Sequence, residues 1–319
     1  MKTRYLLFAL LFTLSASVMA QSRCADLVDA AYDGDLKEVE RLLKAGAKAD
    51  CIYNIAGGPR TALNAAARSG ALKVGQALLK AGARPDFHGR GDATPLIAAA
   101  RNDHYDFAKM LLDAGARANR NLRGDGNALI AAAAQGNSQL VALLLEEGAN
   151  PNAKVDGDGS PLMAAIDNGD DRTIDLLLDA GANPNLAAPG DGNALTTAAA
   201  GGALQVVKLL VENGADVDRG VEGDGNALIA AAKAGHKDIV AYLIAEGADV
   251  NKEVRGDETP LIKAAWNGHL EVVKLLVDNG ADVNLYTRER GEIRSPLKMA
   301  QKEGHDAIVD YLKSKGARR

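Results

Sequence analysis

The sequence predicts an all-α solenoid of nine helix-turn-helix repeats joined by β-hairpin-like loops. Leucines recur at 27, 63, 96, 129, 162, 195, 228, 261 and 297, each followed nineteen residues later by a Gly-Ala dipeptide. Their spacing is 33 residues throughout the interior and 36 at the first and last steps. Alanine stands three places after every one of these leucines, and glycine seven places after all but one. A period near 33 marks an array of small units, each of which needs its neighbours to bury an apolar face.

Within one period the elements follow in order. The leucine opens a first helix, and the alanine three places on (Ala30, Ala66, Ala99, Ala132, Ala165, Ala198, Ala231, Ala264, Ala300) lets a second helix approach closely. The glycine seven after the leucine stops that helix, because it takes a left-handed backbone at no steric cost; Asp103 is the exception. A second helix then presents a β-branched or similar residue at twelve and an aliphatic pair at fifteen and sixteen, as in Val39, Leu42 and Leu43 or Val273, Leu276 and Val277. That spacing makes one buried stripe. The Gly-Ala dipeptide ends the second helix, and a polar extended segment leads to the next leucine.

Thr94-Pro95-Leu96, Thr259-Pro260-Leu261, the Gly-His pairs and the run from Gly247 to Asn251 resemble ankyrin repeats, over about residues 22 to 319. The histidine that usually follows Pro-Leu in that family is missing, replaced by Ile97, Ile130, Met163, Thr196, Ile229 and Ile262 among others. Apolar packing is therefore expected in place of the family's internal Thr-His bond. Gly-Asp-Gly stands in the hairpin of four copies, at 124–126, 157–159, 190–192 and 223–225, which resembles a variant among bacterial ankyrin arrays.

Residues 1–20 are of another kind. Lys2 and Arg4 precede an apolar run from Tyr5 to Leu14, and small residues lead to Val18-Met19-Ala20. This is the pattern of a signal peptide cleaved after Ala20, leaving a repeat domain over 21–319 and a periplasmic or secreted location. The segment is too short and wrongly flanked for a stable span, so no membrane span is expected in the mature chain. A lipoprotein would use Cys24, but Arg23 stands where a small residue is needed. The formal net charge is −5 and becomes more negative when Lys2 and Arg4 leave, which argues against nucleic acid as a partner.

Cys24 precedes the first helix and Cys51 lies in the hairpin leaving the same repeat. In an exported chain a bridge between them would staple the unit that has no N-terminal neighbour, contributing roughly 3 to 4 kcal/mol. The alternative is two free thiols. At the other end Lys313, Lys315, Arg318 and Arg319 place charge where inner repeats have aliphatic residues or another helix.

The repeat register absorbs most motifs that suggest chemistry. His104, His236, His269 and His305 share the slot eight after the leucine, where Asp35, Asn137 and Asp170 stand in other copies, and a helix-capping role is expected there. His88 alone has no such explanation. No zinc-spaced Cys/His cluster and no phosphate loop occur, so no metal or cofactor is expected. Asp156-Gly-Asp-Gly-Ser160 resembles the opening of a calcium loop, but Pro161 stands where that loop needs glycine. Arg-Gly-Asp occurs at 90–92, 123–125 and 255–257, yet the first residue is Asp156, Pro189 or Glu222 in other copies. The repeated element is a Gly-Asp turn with positive φ, whose carboxylate can bond to the backbone.

Two slots vary freely, and there a solenoid can present information. One holds Arg90, Arg123 and Arg255; the other, five after the leucine, holds Tyr32, Arg68, Arg101, Ala134, Asp167, Ala200, Lys233, Trp266 and Lys302. The ankyrin resemblance implies that such helix ends and hairpin tips line a concave groove for a protein partner. Trp266, the chain's one tryptophan, would anchor that partner, or else pack on its neighbours. Arg68 with Arg101, and Arg90 with Arg123, would add a local positive patch suited to an acidic or phosphorylated surface. Two longer spacers, around Ile55 to Pro59 and Tyr286 to Arg294, either project toward the binding face or fill the ends of the array.

The reading that results is a non-enzymatic, monomeric protein-binding module of the bacterial envelope or periplasm. The resemblance also admits a stress-defence or envelope helper, an immunity-type inhibitor of a toxin, or a secreted effector; a separate rival is a passive scaffold. An enzyme is disfavoured, because no nucleophile, base and orienting acid stand together outside register-explained positions.

Overall fold

The computed structural model describes residues 21–55, 58–122, 124, 126–155, 159–188, 192–255, 257–289 and 291–318. The leader at 1–20, Arg123 and the calcium-like Asp156-Gly-Asp lie outside them. The chain divides into two compact units, Met1–Val155 and Asp156–Arg319.

In the first unit residues 21–33 are helical and form α1. After it come α2 (Leu36–Lys44), β1 (Ile52–Ile55), β2 (Gly58–Thr61), α3 (Ala62–Ser69), α4 (Leu72–Lys80), α5 (Pro95–Arg101), α6 (Tyr105–Asp113), α7 (Ala128–Ala134) and α8 (Ser138–Glu146). First helices stack on first helices, α3 on α5 and α5 on α7, while α2, α4, α6 and α8 form a parallel row. The second unit repeats the plan. Its first helices are α9 (Pro161–Asn168), α11 (Ala194–Ala200), α13 (Ala227–Ala234), α15 (Pro260–Trp266) and α17 (Pro296–Lys302). Its second helices are α10 (Asp171–Asp179), α12 (Leu204–Glu212), α14 (Lys237–Ala245), α16 (Leu270–Asp278) and α18 (Asp306–Ser314). Hairpins β3 (Ala187–Ala188) with β4 (Gly192–Asn193), and β5 (Thr287–Glu289) with β6 (Glu292–Arg294), lie between helix pairs.

The period dictates the core. Every repeat leucine is buried, and Ala66, Ala99, Ala132, Ala165, Ala198, Ala231, Ala264 and Ala300 are buried beside them. Eight first helices open on Thr, Asn or Ser (61, 94, 127, 160, 193, 226, 259, 295), whose side chain accepts the backbone N–H three residues on. Each such cap is worth about 1 kcal/mol. The turn glycines adopt positive φ, and Asp103, in the one slot without glycine, takes the same backbone at φ 60.

The expected stripe at position twelve fails twice, at Gly75 and Ala108. At Gly75 the reason is Phe107, fully buried on α6: a Cβ on Gly75 would lie 2.6 Å from its Cζ. The ring needs the volume that valine fills in most other repeats.

Cys24, expected just before the first helix, lies within α1, because the helix begins ahead of it; it is joined to Cys51 by a disulfide, with Cα atoms 5.9 Å apart. A second set of ties runs along the hairpin bases. Asn119 Oδ1 accepts from Asn150 N–H at 2.7 Å while its Nδ2 donates to Gly148 O at 2.7 Å. Asn185 does the same for Asp216 and Gly214, and Asn251 for Asp282 and Gly280. One side chain thereby satisfies two backbone groups of the following repeat.

Candidate functional site

The second unit carries an open groove of about 900 Å³. Its floor is made of small residues from successive first helices, Thr196, Thr197, Gly201, Ala230 and Ala234 among them. Asp167, Ala200, Lys233 and Trp266 all line it, and these are the consecutive members of the slot five after each leucine. Side chains in one slot recur on one side of stacked helices, so repetition alone brings them together.

Backbone bonds fix the row. His236 Nε2 lies 3.1 Å from Ala200 O, His269 Nε2 2.9 Å from Lys233 O, and His305 Nε2 3.1 Å from Trp266 O. In the first unit His104 Nε2 lies 3.2 Å from Arg68 O. The expected capping role of these histidines is corrected here. They occupy the N-cap position, but their side chains make no cap bond, whereas Asp35, Asn137 and Asp170 do. The imidazole is long enough to reach the preceding repeat and donate to a helix-end carbonyl that would otherwise lack a partner.

One end of the groove holds a compact charge network. Lys263 Nζ lies 2.6 Å from Asp257 Oδ1 and 2.5 Å from Glu258 Oε2, and Arg294 Nη1 pairs with Glu258 Oε1. The Arg294 guanidinium sits 4.9 Å from the centroid of the Trp266 ring, and Lys263 and Lys302 flank that ring at 5.8 and 5.9 Å. Trp266 Nε1 donates to Glu303 Oε1 at 3.1 Å. The indole is thus half-buried, held at its edge by a carboxylate and facing cations.

Burial alone would raise the Glu258 carboxyl, but hydrogen bonds from Lys263 and Arg294 more than offset it and hold it at about 2. Asp257 moves the other way: burial raises it, and Lys263 and the backbone N–H of Glu258 only partly offset this. Burial opposes the Lys263 ammonium, yet the two carboxylates keep its pKa above the ordinary lysine value.

Of the residues singled out from sequence, the groove brings together Lys233 and Trp266. Arg255 is exposed and pairs with Glu222 at 3.2 Å. Arg90 and Arg101 are exposed in the first unit. Arg68 is turned inward: its Nη2 lies 2.6 Å from Asp92 Oδ1, and its Nε 2.9 Å from Asn64 Oδ1. Its charge is offset by a buried carboxylate, so it adds little to a positive patch. Asp92 is 5% exposed, which removes Arg90-Gly-Asp92 as a displayed adhesion motif.

Sequence reasoning missed Lys263, Glu258 and Arg294 as groove residues. Each left a signal. Lys263 stands two after its leucine, where alanine is the commonest residue, and Glu258 and Arg294 both occupy the slot that holds the last glycine of Gly-Asp-Gly elsewhere. Arg294 also lies on β6, in the spacer from Tyr286 to Arg294, so that insertion does reach the groove.

Among the described residues no group of three or more His, Cys, Asp and Glu is placed to hold a metal ion, and no helix is long and apolar enough to cross a membrane.

A solenoid of helix pairs with a groove along its first-helix ends defines an ankyrin repeat protein. A family model for ankyrin repeats matches residues 27–122, 118–188, 173–254, 195–287 and 252–318, and the chain belongs to that family. The crystal structure of the human ASB11 ankyrin repeat domain is similar, with a TM-score of 0.58 at 26% identity, covering 69% of this chain and 97% of that one. Comparison with curated proteins finds no match. Ankyrin repeats are generally protein-protein interaction modules, and the family is typically a non-enzymatic binding scaffold.

Proposed function

We propose that this chain is an exported, monomeric protein-binding module of the bacterial envelope or periplasm, and that it holds a protein partner in the groove of its second unit. The observation that carries the reading is the convergence of Asp167, Ala200, Lys233 and Trp266, the freely varying row, on one groove. Selectivity would come from these side chains, and affinity from a surface whose helices are already stacked, so that association orders little more of the chain. Trp266 is the anchor: a half-buried indole at the end of a groove can lose its remaining solvent contact to a partner. The leader-like pattern at 1–20 and the Cys24–Cys51 bridge support an oxidising compartment.

The test is capture from envelope extract by the wild type and by Trp266→Ala and Ala200→Arg variants, with circular dichroism showing that both variants fold. A partner retained by the wild type and lost by both variants upholds the groove. Undiminished capture of every partner contradicts it.

A further inference from the structure

We propose that Arg84, Arg117, Arg120 and His88 form a second binding site, for a phosphoryl group, on the hairpin side of the first unit. These residues, with Asp86 and Phe87, line a depression of about 380 Å³.

The arginines are not needed for stacking. In later repeats the tie between hairpin bases needs no guanidinium: Asn119 and Asn185 accept a backbone N–H and donate to a glycine carbonyl, and Asp218 accepts the backbone N–H of Asp249. Here Asp50 and Asp86 stand in the asparagine slot and still accept the backbone N–H of Arg84 and Arg117, at 3.0 and 3.1 Å. The guanidiniums are an addition. Arg84 Nε lies 2.6 Å from Asp50 Oδ2 and Arg117 Nε 2.7 Å from Asp86 Oδ2, which fixes each guanidinium plane. Their terminal nitrogens make no hydrogen bond among the described residues. The Arg84 guanidinium also stacks 4.1 Å from the Phe87 ring centroid, restricting it further.

Arg120 is the residue the fold leaves over. It has no carboxylate partner among the described residues; its Nη2 lies 3.4 Å from His88 Nε2. His88 Nδ1 lies 3.0 Å from Gly89 O and donates to it, so Nε2 is presented to the depression as an acceptor for Arg120. A guanidinium facing an imidazole beside two further guanidiniums is a poor arrangement without an anion. Three cations against the carboxylates of Asp50 and Asp86 leave a positive excess. The slot of Arg84 and Arg117 holds Asn150, Asn183, Asp216, Asp249 and Asp282 in the next five repeats, and arginine returns only at Arg318, over Asn284 and not a carboxylate, so two successive arginines in this slot occur only here.

A phosphoryl group fits better than a carboxylate. It offers three oxygens and up to two charges to guanidiniums arriving from two neighbouring repeats, and arginine forks suit tetrahedral oxyanions. The register gives His88 no other role, and this site gives it one.

The purified chain is titrated with inorganic phosphate and with pyrophosphate at constant ionic strength, and amide and arginine side-chain NMR signals are followed. Saturable shifts at residues 84–88 and 117–120 are expected. Arg120→Gln and His88→Ala should each weaken binding, Arg120→Gln by about tenfold, while Arg172→Gln on α10 changes nothing. Shifts that grow linearly as they do with chloride, or binding unchanged in Arg120→Gln, overturn the proposal. Sedimentation with phosphatidylcholine vesicles that contain phosphatidic acid, and not with phosphatidylcholine alone, assigns a lipid-borne phosphoryl group. Saturable phosphate binding without sedimentation assigns a soluble one, and both outcomes uphold the site.

Discussion

The imidazole of His305 reaches back across one repeat to the carbonyl of Trp266, at 3.1 Å, over a glycine that leaves room for it. A Cβ on Gly268 would stand 2.8 Å from His305 Cε1, and Gly268 has φ +81. His305→Ala should lower stability by about 1 kcal/mol through the lost bond. Gly268→Ala pays both backbone strain and the clash in the wild type, but strain alone once the ring is gone. A double-mutant cycle in thermal unfolding should therefore show coupling of about 1 kcal/mol or more. Simple additivity would show that the ring and the glycine are not matched.

Gly75 tests the packing of the first unit. Alanine in mid-helix normally gains about 1 kcal/mol over glycine. At this position the new methyl meets Phe107, and overpacking costs about 1 to 3 kcal/mol. Gly75→Ala should be destabilising in urea denaturation, and should become stabilising when Phe107→Leu is added. Stabilisation by Gly75→Ala alone would contradict the match of ring and glycine.

The bridge from Cys24 to Cys51 closes a loop with a sequence separation of 27. Reduction, or the Cys24→Ser and Cys51→Ser pair, should cost roughly 3 kcal/mol and show first as faster amide exchange in α1 and α2. Unchanged exchange in those helices would mean that packing on α4 holds them without the staple.

Acid should reveal the Glu258 network. Its carboxyl is held at about 2 against 4.5 for the free group, so its contribution is present above pH 4.5 and fades as pH falls toward 2. At pH 7 Glu258→Gln should cost about 3 kcal/mol, and the difference from wild type should shrink across that window. Asp257, whose carboxyl is raised, has the opposite sign: its ionised form opposes folding at neutral pH, and acid relieves that cost. Asp257→Asn should accordingly cost less than Glu258→Gln at pH 7. A gap between wild type and Glu258→Gln that is independent of pH would refute the assignment.

The repeat plan was legible because burial acts on every period alike: Leu261 and Ala264 are buried for the same reason as Leu63 and Ala66. The groove row was legible too, since one slot in stacked helices must fall on one side. The charge network was not. Lys263 in an alanine slot, with Glu258 and Arg294 in a glycine slot, were visible as departures, but their pairing depends on side-chain reach across repeats. The histidines misled for a related reason. Their slot caps a helix when the side chain is short, and an imidazole passes over its own helix end to reach another.

The central claim is most directly tested by equilibrium binding of the captured partner to the wild type and to Trp266→Ala, with His305→Ala as a variant that keeps the indole. Loss of the indole should weaken binding by about thirtyfold, the equivalent of about 2 kcal/mol, with no change in helix content. Equal affinity for wild type and Trp266→Ala would contradict the account.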